Sequence, residues 1–262
     1  MWAKPLRALA LCLALAAPSF GAAQAPRDGA PETLASFPLP SLPDRPFALQ
    51  FAGAAALFSL PDGPTRKTFP AVLILPDALG ADGRAVPYVE GLLGTGIAVL
   101  ELRDASAEAA RAALALLTSD PRIEAPRLGV LGFGQGARLA LRLPGAEARA
   151  LLYPGCASLP VPQTAPGAVL LLHGAEDPAN PAPACASLAA RLRARGAEAT
   201  QREIPGAGYA WDYPALGQAS AALLPAAGGA ERLHVRPWPA MAAQSAAEIT
   251  GFFAQHFSRA AP

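Results

Sequence analysis

The chain has 262 residues, with 21 Lys and Arg against 20 Asp and Glu, for a formal net charge of +1. No stretch concentrates basic residues with aromatics between them, so nucleic-acid binding has no support. The 29 prolines and abundant alanine carry no functional reading of their own.

The chain opens Met1-Trp2-Ala3-Lys4-Pro5-Leu6-Arg7, runs apolar over residues 8–17, and then presents Ala23-Gln24-Ala25. A basic start, a short apolar stretch and a small-x-small ending predict a signal peptide over residues 1–25, cleaved near Ala25. The apolar run is too short for the roughly 20 residues of a membrane span. Cys12 follows Leu11, not a small residue, so no lipoprotein site is read. The mature chain is therefore expected to be exported, periplasmic or secreted. Residues 26–46 are rich in Pro, Ser and Asp without periodicity, which predicts an extended leader. Residues 47–262 are expected to form one α/β domain. Cleavage leaves Cys156 and Cys185; in an oxidising compartment an even pair reads first as a disulfide, the alternative being two unrelated buried thiols.

Residues 47–51 and 54–60 read as short strands, and residues 71–75 as a buried strand without alternation, expected of a sheet covered on both faces. A loop over 76–83 leads to a helix over 85–93. A strand over 97–102 and an alanine-rich helix over 105–117 follow. Next come a strand over 127–133, a helix over 135–143, and strands over 148–153 and 168–172. A helix over 183–195, capped by Gly196, precedes a strand over 200–204. Residues 214–239 are weakly patterned and read as a loop or small excursion beside the site. A last helix over 241–257 puts Ile249, Phe252, Phe253 and Phe257 on one face. Strands alternating with helices predict a mostly parallel central sheet with helices on both faces.

Val130-Leu131-Gly132-Phe133-Gly134-Gln135-Gly136-Ala137 gives the clearest chemical signal. Strand, tight turn and helix in that order are the context of the G-x-S-x-G nucleophile elbow. Gly132 and Gly136 stand where side chains would collide across so sharp a corner. The centre should carry a Ser or Cys and instead carries Gly134. Ligands in such folds gather at the C-terminal ends of the parallel strands. Two further strand ends stand out, His173-Gly174-Ala175-Glu176-Asp177 and Pro205-Gly206-Ala207-Gly208-Tyr209-Ala210-Trp211.

These stretches, together with Leu151-Leu152-Tyr153-Pro154-Gly155-Cys156, resemble the dienelactone hydrolase family of α/β-hydrolases over roughly residues 69–257. The resemblance implies the α/β-hydrolase fold and cofactor-free hydrolysis of esters or lactones by a Cys or Ser nucleophile, a His base and an Asp. Asp177 matches the acid position. Gly134 stands at the nucleophile position and Tyr209 at the histidine position. A glycine has no atom to attack a carbonyl, and an ordinary phenol, with a pKa of about 10, is a poor base at neutral pH. The Gln135 N–H and one amide from the 76–80 loop would form the oxyanion hole.

The remaining candidates have plain readings. Asp177 can simply cap its own loop. His173 reads as structural and His256 as a surface residue, whereas His234 is the one histidine that could swing over the site. Ser106 and Ser220 read as ordinary helix or loop serines. No metal-ligand spacing occurs, and neither cofactor nor metal is expected. Two functions remain: a non-catalytic homologue binding a small molecule over Gly134 or a protein partner, and a working hydrolase with a displaced nucleophile or Asp177-activated water.

Overall fold

The computed structural model describes residues 47–51, 53–62, 68–165, 167–214 and 222–258; the predicted signal peptide and leader, residues 1–46, lie outside the described residues. The strands are β1 (Phe47–Phe51), β2 (Ala54–Ser59), β3 (Phe69–Leu75), β4 (Ala98–Leu102), β5 (Ile123–Phe133), β6 (Ala148–Leu152), β7 (Gly167–Gly174) and β8 (Ala197–Ile204). They form one sheet in the order β1-β2-β4-β3-β5-β6-β7-β8. β2 runs antiparallel to β1 and β4, and every later pair is parallel.

Among the described residues five α-helices cover the sheet: α1 (Val86–Gly94), α2 (Ala107–Ser119), α3 (Gln135–Ala140), α4 (Ala182–Arg193) and α5 (Pro239–Ser258). α2, α3 and α4 pack on one face, and α1 and α5 on the other. The strand alternation explains why the central strands read as continuous apolar runs. Ala71, Leu73 and Leu75 of β3 enter the first core, while Val72 and Ile74 enter the second. Both side-chain sets are buried, so neither face needs polar residues. The predicted mostly parallel sheet with helices on both faces is the observed architecture.

Several boundaries differ from the sequence expectation for local reasons. β8 begins at Ala197, not 200, because it is an edge strand: Ala197 and Ala199 are buried while Glu198 and Thr200 are exposed. Such half-polar alternation reads weakly beside the all-apolar central strands. α3 stops at Ala140, not 143; Arg142 and Leu143 donate to Leu139 and Ala140, tight i→i+3 turns that close the helix before Pro144. α5 starts at Pro239, a residue suited to the first helical turn because its missing N–H is not needed there. Within 214–239 the chain makes an antiparallel ribbon, β9 (Leu223–Pro225) against β10 (Arg232–His234).

Cys156 and Cys185 are bonded, with Cα atoms 5.0 Å apart. The bridge ties the turn after β6 to the start of α4. Closing a loop across 29 residues restricts the unfolded chain enough to stabilise by about 3 kcal/mol. Among the described residues no helix is long and apolar enough to cross a membrane.

Candidate active site

β5 ends at Phe133, and Gly134 turns the chain with φ 49° and ψ −108° before α3 begins. The positive φ matches the expectation for the centre of a sharp strand-to-helix corner, a conformation that side chains with a Cβ adopt under strain. The flanking glycines allow the close packing. A Cβ on Gly132 would meet the backbone of Ala137, and one on Gly136 would meet the carbonyls of Leu75 and Pro76. The corner is thus pressed against the end of β3, backbone to backbone.

That contact brings in a residue the sequence reading did not single out. Asp77 follows β3 and is only 4% exposed. Its Oδ1 accepts from the Ala78 N–H at 2.8 Å and the Gln135 N–H at 2.9 Å. In an elbow of this shape, the amide after the centre and one from the loop after the third strand are the donors that receive an oxyanion. Here both donate to Asp77. A Cβ built on Gly134 would collide with the Asp77 carboxylate. The carboxylate therefore fills the volume in which a side chain at 134 would stand.

The other oxygen is held as firmly. Tyr209 shares its hydroxyl proton between Asp77 Oδ2, at 3.1 Å, and the Pro225 carbonyl, also at 3.1 Å. Arg84 Nη1 lies 3.4 Å from Asp77 Oδ2 and donates to the Tyr153 hydroxyl at 2.9 Å. Tyr153 in turn donates to Asp212 Oδ1 at 2.6 Å, and Tyr88 to Asp212 Oδ2 at 2.8 Å. Asp82 grips the same guanidinium from outside.

Burial shifts the three tyrosines, Asp212 and Arg84 of this network. It pushes the Tyr209 phenol well up, and the neighbouring Asp77 adds to the rise. Burial likewise raises Tyr88, Tyr153 and Asp212. For Arg84, burial alone would lower the pKa, but Tyr153, Asp82 and Asp212 together carry it above its usual value.

Asp177 lies in the loop after β7, and its oxygens point elsewhere. Oδ1 accepts from the Ala179 N–H at 2.9 Å and Oδ2 from Asn180 Nδ2 at 2.8 Å. Asn180 Oδ1 then holds the amides of Gly155 and Cys156. Asp177 thus braces the loop beside the disulfide, the plain alternative read from the sequence. Burial pushes its carboxyl up to about 6, against the opposing pull of those hydrogen bonds.

The structure brings Tyr209 to the elbow through Asp77. Among the described residues no hydrogen bond joins Asp177 to Tyr209. His173 is buried with Nε2 2.8 Å from Gln201 Nε2, His234 is exposed on β10, and His256 packs on Phe252. Ser106 caps α2 by accepting from the Ala109 N–H, and Ser220 lies outside the described residues. No group of three or more His, Cys, Asp or Glu among the described residues is placed to hold a metal ion. An open cleft of about 530 Å³ is lined by Asp77, Ala78, Ser106, Gln135, Ala226 and Gly228. The one sequence signal that could have found Asp77 is its place just past the C-terminal end of a central parallel strand.

The family model of the dienelactone hydrolase family matches residues 93–223, half of the chain. Among solved structures, Est1E from Butyrivibrio proteoclasticus is 12% identical with a TM-score of 0.58, over 82% of this chain and 100% of that one. The hyperthermophilic esterase of the archaeon Pyrobaculum calidifontis is 12% identical with a TM-score of 0.61, over 84% and 88%. A dienelactone hydrolase-like promiscuous phosphotriesterase from metagenomic libraries is 18% identical with a TM-score of 0.58, over 77% and 92%. At these identities the likeness is one of fold. A search of curated proteins finds no match to this sequence.

Two predictions follow the geometry. Gly134→Ser should destabilise by roughly 3 kcal/mol, from strain at positive φ and from collision with Asp77. In a urea-denaturation cycle with Asp77→Ala, the two changes should couple by about 1 kcal/mol or more. Additive effects would show that the two side chains do not compete for one space. The second concerns pH. The folded-state pKa of Asp177, about 6, lies above the usual aspartate value of 3.8. Its contribution is therefore fully present below about pH 4 and is lost as pH rises through about 6. The stability advantage of wild type over Asp177→Ala should shrink across that window, by up to roughly 3 kcal/mol. A constant difference between pH 4 and 7 would refute the shift.

Proposed function

The chain belongs to the dienelactone hydrolase family, and from that premise we propose that it is an exported, non-hydrolytic member that binds a small molecule in the cleft beside the elbow, lined by Asp77, Ala78 and Gln135. The observation that supports the non-hydrolytic reading is the Asp77 carboxylate in the space above Gly134. On this reading Gly134 is the nucleophile position without a nucleophile, and Asp77 also takes the two amides that would stabilise a tetrahedral intermediate. Tyr209, at the base position, keeps its proton, because burial and Asp77 drive its pKa away from neutrality. Asp177, the matching acid, spends its oxygens on Ala179 and Asn180. Loss of nucleophile and base together removes the unit on which triad chemistry depends.

Export is supported by the basic start, short apolar run and Ala23-Gln24-Ala25 of the sequence, and the Cys156–Cys185 bridge is compatible with it. N-terminal sequencing of the protein from its native host should then find a start near Pro26.

A second reading draws on one observation, the rise of the Asp177 carboxyl to about 6. A carboxylate in that range can accept a proton from water near neutral pH. The two readings part on turnover of an activated ester such as p-nitrophenyl acetate. Wild type and Asp177→Ala should both match the rate of buffer with inert protein. Turnover in wild type that Asp177→Ala abolishes would overturn the non-hydrolytic reading.

A further inference from the structure

We propose that Asp77 is a built-in ligand, occupying from within the chain an anion site whose outside occupant, once Asp77 is withdrawn, is a small carboxylate. The inference rests on the elbow reading above but concerns who fills the site, not what reaction occurs there.

The donors are four: the Ala78 N–H, the Gln135 N–H, the Tyr209 hydroxyl and Arg84 Nη1. They divide evenly, two on each oxygen, which matches the acceptor capacity of one planar carboxylate. The bland account is an aspartate capping its own turn, since such residues bond backbone amides one or two positions on. That account covers Ala78 alone. Gln135 stands 58 residues away and Tyr209 132 residues away. Arg84 is 4% exposed and Tyr209 1% exposed, so both aim polar groups into a dry space. Separate segments of chain thus converge on a volume that Gly134 leaves empty.

A site of this kind binds two coplanar oxygens, the shape of formate, acetate or the acid end of a larger molecule. Tethering gives Asp77 a high effective concentration there, so a dissolved acid competes poorly with it. The cleft lined by Asp77, Ala78 and Gln135 opens beside the carboxylate, which gives an outside acid a way in when Asp77 is removed. In the native chain the same arrangement denies the two amides to any acyl oxygen entering the cleft.

Amide hydrogen exchange reads the occupancy in the full chain. In wild type the Ala78 and Gln135 amides should exchange at least roughly tenfold slower than unbonded loop amides. Asp77→Ala should release both. Sodium acetate should restore their protection in that variant, and sodium chloride at equal ionic strength should not. Adding Tyr209→Phe to Asp77→Ala should weaken the acetate effect, because one donor is gone. A folded Asp77→Ala protein whose two amides ignore acetate would overturn the proposal. Should that variant not fold, Asp77→Asn keeps the shape with a weaker, neutral acceptor. It should then move the Ala78 and Gln135 amide proton resonances upfield of wild type. Unmoved resonances, or wild-type amides exchanging as freely as exposed ones, would equally sink it. Ester turnover by wild type that depends on Asp177 would instead strike the non-hydrolytic reading and leave the amide result standing.

Discussion

Gly134 has no side chain, and the carboxylate of Asp77 lies in the room this leaves. The rest of the site follows from that contact. With a Cβ at 134, Asp77 would have to leave, and its departure would take the protein partner from the Ala78 and Gln135 amides and leave the Tyr209 hydroxyl with the Pro225 carbonyl alone. Each buried group left unpaired costs about 1–3 kcal/mol, more where charge is involved. The glycine, the aspartate and Tyr209 are therefore interdependent, although they lie in the turn after β5, the loop after β3 and the loop after β8.

Burying carboxylates demands compensation, and Arg84 supplies the positive charge. It contacts Asp77 and Asp82 directly and reaches Asp212 through the Tyr153 hydroxyl. Its guanidinium lies 5.3 to 5.9 Å from the ring centres of Tyr213, Phe133 and Tyr153, where aromatic faces favour a cation. Tyr153 is the joint of this network. It follows β6 with φ 39°, unusual for a residue with a side chain. That backbone turn sets its hydroxyl between Arg84 and Asp212. Strain of this size, on the order of 1–3 kcal/mol, persists only where the surroundings over-determine it. Here two charged partners and the edge contacts with Tyr209 and Trp211 do so.

How much of this was legible in the sequence depends on the range of each interaction. The central strands were legible because burial on both faces makes them uniformly apolar, as in Ala71 to Leu75. The elbow was legible because Gly132 answers a clash with Ala137 only five residues on, whereas Gly136 makes room for the end of β3, far along the chain. β8 was half-missed because an edge strand with Glu198 and Thr200 facing water shows only a weak apolar signal. Asp77 went unread because its partners lie far along the chain: an aspartate after Pro76 looks like any turn residue until β3 and β5 are placed side by side. Arg84 and Asp212 were hidden for the same reason, since charged residues in loops read as solvated. The pairing of Cys156 with Cys185 was legible from compartment and count, without geometry.

The geometry also bears on what the elbow of this family can do when its amides are already engaged. An oxyanion hole stabilises charge only if its donors are free when the charge develops. At this elbow the donors are already satisfied by an Asp77 side-chain oxygen at 2.8 and 2.9 Å. An incoming carbonyl oxygen, only partly negative even in the transition state, would have to displace a tethered carboxylate. Attack would also need a base, and the group that reaches the elbow is a phenol whose proton burial and Asp77 retain. The same features that would block turnover give the folded chain a fully partnered polar interior where an open site would otherwise leave donors unpaired. Selection for a stable fold alone would keep this arrangement, which is why the retained elbow glycines do not by themselves argue for hydrolysis.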